Sequence, residues 1–98
     1  MAENEFMTNL LAKYKKSIGD FGSGTPDSYY QNFLEMAISD LESDDISETI
    51  LCGDLGQMLI VLYAEALMNK TDIATNPTIE LLRNKLSIMT KGVRANVH

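Results

Sequence analysis

Between Leu55 and Leu67 the usual mixing of apolar and polar positions stops, and Met58-Leu59-Ile60-Val61-Leu62-Tyr63-Ala64 is seven apolar residues in a row. At 3.6 residues per turn such a run covers every face of a helix, which does not describe a half-exposed surface helix. It is also too short to cross a bilayer, which needs about 20 consecutive apolar residues. The run predicts a helix buried on nearly all sides, ending near Met68, with Leu59, Leu62 and Tyr63 among the most buried residues. In a chain of 98 residues the rest must wrap around it, or neighbouring copies must cover what the chain leaves open.

The other elements follow from spacing and breakers. Phe6, Met7, Leu10, Leu11, Tyr14 and Ile18 recur at three- and four-residue steps and predict a helix from about Glu3 to Ile18. Glu3 and Glu5 at its start and Lys13, Lys15 and Lys16 near its end suit the helix dipole. Three glycines between Gly19 and Gly24 then end it. Thr25-Pro26 reads as an N-cap followed by a first-turn proline. The helix it opens buries Tyr30, Phe33, Leu34, Ala37, Ile38 and Leu41 and ends in Glu42-Ser43-Asp44-Asp45. Ser47 to Leu51 reads as a short helical turn. A break or kink near Gly53 is favoured, with Asp54 as N-cap and Gln57 at capping-box spacing. One continuous helix, with Gly53 and Gly56 admitting a close neighbour, is the alternative. Asn69 to Thr75 is a polar turn, and Asn76-Pro77 repeats the cap-and-proline signature. A last helix presents Ile79, Leu82, Leu86 and Met89 inward and stops near Gly92, leaving a short flexible tail at 93–98. The fold expected is all-α: one domain over 1–98, a compact bundle of about four short helices around one buried central helix.

Composition narrows the class of function. Apolar content is 45% and charged content 22%, ordinary for a soluble globular protein. The single cysteine, Cys52, excludes an intrachain disulfide and any multi-cysteine zinc site, and beside Gly53 it reads as a small packing residue. The six methionines read as core packing. The acidic start, Met1 to Glu5, lacks the charged region of a signal peptide, and no span or lipidation signal is apparent, so the expectation is a soluble protein made in the cytosol with no membrane partner. A net charge of −6 argues against general or sequence-specific nucleic-acid binding.

Catalytic chemistry has little to work with, and the expectation is that the chain is not an enzyme and uses no cofactor. The only histidine, His98, is the last residue, so no Ser/His/Asp set can be assembled and Cys52 lacks an imidazole. Gly19, Gly22 and Gly24 lack the lysine and Ser/Thr of a phosphate loop. Glu35, Asp40, Glu42, Asp44, Asp45, Glu48 and Asp54 fall in a stretch without lysine or arginine. Their spacing matches no EF-hand and reads as a solvated acidic face. After Glu80, by contrast, the chain carries Arg83, Lys85, Lys91 and Arg94 and no carboxylate side chain. Two readings of this split stand. Each end carries solvated charge, or a basic edge of one copy meets an acidic edge of the next in a heterologous contact that can close into a ring. On the second reading the interface residues are Glu42, Asp44, Asp45 and Glu48 against Arg83, Lys85, Lys91 and Arg94, lying on different sides of the monomer.

The order of features resembles the small helical head–tail connector proteins (adaptor or head-completion proteins) of long-tailed bacteriophages. The likeness lies in a short first helix and loop, then a helix with Phe33-Leu34 and Ala37, then the apolar helix Leu59-Ile60-Val61-Leu62-Tyr63-Ala64-Glu65. A polar turn and a last helix opening Ile79-Glu80-Leu81-Leu82-Arg83 complete it, over roughly residues 6–90. The chain departs from the pattern at Thr25 to Tyr30 and at Leu67-Met68-Asn69-Lys70. The resemblance implies a structural protein of a phage or prophage. It would be present in the host cytoplasm during assembly and then in the virion neck, as a closed ring of about a dozen copies. The implied partners are other copies, the portal protein and tail or stopper proteins, with DNA passing through the ring. The rival expectation from the residues is a small acidic regulatory binder, a DNA mimic of the anti-restriction or anti-repressor type, using Glu35 to Asp54 against a basic surface.

Overall fold

The computed structural model describes residues 2–20 and 24–95, and the side chains of 5–20 and 24–92. The chain is all-α: α1 (Ala2–Ile18), α2 (Asp27–Ser43), α3 (Glu48–Leu51), α4 (Asp54–Met68) and α5 (Pro77–Ala95), with a 3-10 turn at Ile73–Thr75. The apolar run forms α4, and every other helix packs on it. Leu59, Ile60 and Ala64 are fully buried and Tyr63 nearly so. They meet Leu10 and Tyr14 of α1, Leu34, Ala37 and Leu41 of α2, and Ile79, Leu82 and Leu86 of α5 in one core.

Tyrosines tie this core together at its polar points. The Tyr14 hydroxyl lies 3.4 Å from the Ala64 carbonyl and 3.2 Å from Met68 Sδ. Tyr63 donates to Asp40 Oδ2 at 3.0 Å, and Tyr30 donates to Asp20 Oδ2 at 2.6 Å. The Tyr14 and Tyr30 rings pack 5.4 Å apart in a tilted arrangement, joining α1 to α2 beside α4. An ion pair from Lys15 to Asp27 closes the same junction at the surface.

α4 is not buried all round. Met58 is 52% exposed and Leu62 only partly buried, which corrects the expectation for Leu62. The two lie four residues apart on one side, so they share a face. That face borders Lys13 and Ser17 of α1 and Asp54 of α4, and the helices packed on α4 leave it open. The methionine reading is corrected in the same way: Met36, Met58 and Met89 are exposed. Met89 also leaves its expected inward place on α5, where Thr90 is buried instead and its Oγ1 accepts from the Ser47 backbone N–H at 3.1 Å.

The chain does break at Gly53, and Gly56 is a close-approach site as well. A Cβ on Gly56 would lie 2.4 Å from the Leu51 carbonyl oxygen and 2.5 Å from Leu51 Cα, so α3 can rest on the first turn of α4 only because no side chain intervenes. Gly53, not Asp54, occupies the N-cap position, and the Gln57 side chain donates back to the Cys52 carbonyl at 2.8 Å. Asn76 caps α5 as expected, its Oδ1 accepting from the backbone N–H groups of Thr78 and Ile79, both at 3.1 Å, with Pro77 first in the helix. The analogous expectation at Thr25 is corrected: α2 begins at Asp27, and Pro26 itself sits at the N-cap with extended ψ of 142°. Its ring fixes φ but supplies no capping oxygen. α5 also runs past Gly92 to Ala95, since a single exposed glycine costs a helix only about 1 kcal/mol. Phe21, Gly22, Ser23 and the tail from 96 onward, including His98, lie outside the described residues.

Candidate interaction surfaces

Three arrangements of side chains are candidates for a functional role. Among the described residues no three His, Cys, Asp or Glu side chains converge as a metal site would require. Tyr14 has its pKa pushed up to about 12, chiefly by burial and secondly by the Glu65 carboxylate. Tyr63 moves in the same direction, through burial and then its hydrogen bond to Asp40. Both move further from neutrality, opposite to what a general base requires. No helix among the described residues is long and apolar enough to cross a membrane.

The first arrangement is the charge split. The acidic and basic segments are not on different sides of the monomer throughout: Arg83 forms an ion pair with Asp44 of the same chain. Ser47, in the acidic segment, also bonds to Thr90 of α5. α5 packs on α3 and α4, and from there the Arg83 side chain reaches Asp44, the C-cap residue of α2. That correction applies to Arg83 and Asp44. Glu42, Asp45, Glu48, Lys85 and Lys91 are exposed. The Arg94 side chain lies outside the described residues.

The second is a groove of about 320 Å³ where α1, α2 and α3 meet. Phe6, Met7, Ile38 and Leu51 give it apolar walls, and Glu35, Glu42 and Glu48 carry its negative charge. No lysine or arginine lines it. Cys52 opens into the groove and is exposed, correcting the expectation of a packing thiol: α3 is one turn long and ends there, so the side chain has no layer above it.

The third is the outer side of α5. Ile79, Leu82 and Leu86 face the core, yet Leu81 and Ile88 are also large and apolar, and they are 67% and 69% exposed. They are seven residues apart with Lys85 between them, one stripe of the helix. This ridge and the groove were not singled out by sequence reasoning. The ridge was legible, because Leu81 and Ile88 fall outside the inward set. The groove was not, because it joins residues from three separated segments. Compared with family models, curated proteins and solved structures, the chain matches none.

Proposed function

We propose that the chain is a structural assembly subunit without catalytic activity, of the head–tail connector type of long-tailed bacteriophages. In this reading it forms a ring beneath the portal and joins capsid to tail. The observation that carries the assembly part is the doubled apolar character of α5, with Ile79, Leu82 and Leu86 satisfied inside and Leu81 and Ile88 open to solvent. Exposed apolar side chains on a face that already has a packed opposite side gain free energy only when another surface covers them, at about 25 cal/mol per Å². The connector part rests on the order of helices and apolar motifs along the sequence. An acidic wall around a DNA channel would repel phosphate and let the duplex slide.

The acidic-mimic reading is favoured by a separate observation: Glu35, Asp40, Glu42, Asp44, Asp45, Glu48 and Asp54 are all exposed. The two readings separate when the protein is mixed with a portal protein from the same genome, which the connector reading requires, and, separately, with basic restriction enzymes. A connector binds the portal in multiple copies. A mimic stays monomeric or dimeric and binds the enzyme in a way that salt abolishes.

A further inference from the structure

We infer that the groove between α1, α2 and α3 receives the outer ridge of α5 from a second copy of this chain, in a head-to-tail contact. The contact rests on the assembly reading above and gives it a specific surface. Groove and ridge are complementary in two independent respects. The groove is apolar at Phe6, Met7, Ile38 and Leu51 and negatively charged at Glu35, Glu42 and Glu48. The ridge is apolar at Leu81 and Ile88, with Lys85 between them and Lys91 one turn beyond Ile88. Among the described residues Lys85, Lys91, Glu42 and Glu48 form no ion pair, while the pairs that do form use Lys15 and Arg83. Unlike charges flanking an apolar contact fix its register and exclude wrong pairings. A helix presenting residues at four- and seven-residue steps is the usual shape laid into such a groove.

The chain cannot satisfy its own groove. α5 faces the core through Ile79, Leu82 and Leu86, so its ridge points away from the rest of the molecule. α3 stands between the two surfaces, with Ser47 bonded to Thr90 on one side and Glu48, Leu51 and Cys52 lining the groove on the other. Groove and ridge share no residue and lie on opposite sides of α3, so in the head-to-tail arrangement each copy both gives and receives. Repetition then makes a ring or an open chain. The other open patch, Met58 and Leu62, is flanked by Lys13 and Asp54 and offers no single sign of charge to the ridge.

Cys52 is the only cysteine and lies in the groove, so it reports on the contact directly. The full chain carrying Ile88→Cys is treated with a short bis-maleimide linker, with and without portal protein, and resolved by denaturing electrophoresis. The expected result is a ladder of trimers and higher multimers, since each copy then links through Cys52 on one side and position 88 on the other. Lys16→Cys, exposed on α1 away from both surfaces, should give no more than dimers. Adding Lys85→Glu and Lys91→Glu should cut the ladder by about tenfold or more, as opposed like charges do. Glu42→Lys and Glu48→Lys on that background should restore it. Dimers alone from Ile88→Cys, an equal ladder from Lys16→Cys, or indifference to charge reversal would overturn the contact. Portal protein that shields Cys52 without any ladder would assign the groove to the portal and overturn it too. A ladder with no portal binding keeps the contact and removes the connector reading, and portal binding with no ladder does the reverse.

Discussion

Leu59 and Leu62 lie one turn apart on α4, yet the structure gives them unequal weight. Leu59 is fully buried among three helices, whereas Leu62 borders the open side beside Met58. Leu59→Ala should therefore cost roughly 2–5 kcal/mol in urea unfolding, and Leu62→Ala clearly less. Equal losses would mean the face described as open is closed in solution. A seven-residue apolar run states only that no polar side chain interrupts the helix, and it does not name the partner for each face. Gly56→Ala is the sharper test of packing. The new methyl would press on the Leu51 backbone, which has no rotamer to yield, so a loss of about 1–3 kcal/mol is expected. Tyr14 supplies a pH signature. Its proton is held in the fold up to about 12 but released from the unfolded chain near 10.0. The unfolded state therefore binds fewer protons across that window, and stability falls as pH rises through it. Tyr14→Phe should flatten that alkaline decline, measured as urea midpoints against pH, and an unchanged slope would show that Tyr14 ionises normally.

Helix ends show where sequence is legible and where it is not. α1 and α4 end in the same hydrogen-bond pattern, with Asp20 N–H bonding to Lys15 O and Gly19 N–H to Lys16 O in one. In the other, Thr71 N–H bonds to Ala66 O and Lys70 N–H to Leu67 O. Each needs a left-handed residue, Gly19 at φ 75° and Lys70 at φ 57°. A glycine announces that turn, and a lysine does not, so only the first end could be placed from sequence with its cause. Lys70→Gly should accordingly stabilise the chain by about 0.5–1 kcal/mol through relief of left-handed strain. A thermal or urea scan showing a loss would place the strain elsewhere. The two X-Pro openings make the same point. Asn76 delivers its side-chain oxygen to two N–H groups, so Asn76→Ala should cost about 0.5–2 kcal/mol in the same assay. At Thr25-Pro26 the identical pattern is shifted by one residue, because the fixed φ of proline, here −62°, also fits an extended residue just before the helix.

At the scale of the molecule, the all-α architecture and the helix order were readable because period and breakers agree along most of the chain. The placement of charge was not. That Arg83 meets Asp44 depends on how α5 docks against the end of α2, a long-range fact that local pattern does not carry. The groove, built from Phe6, Ile38 and Cys52 across three segments, was hidden for the same reason. Open on the folded monomer are an apolar ridge flanked by lysines and an apolar groove lined by glutamates, and the central claim is that assembly joins such surfaces. Native mass spectrometry of the chain alone and mixed with the portal protein that the connector reading calls for tests this most directly. The account predicts complexes in which several copies of the chain add to the portal assembly, weakened by Lys85→Glu with Lys91→Glu while the free monomer stays folded. A portal mass that does not change at any ratio of the two proteins, with the chain remaining monomeric, would contradict it.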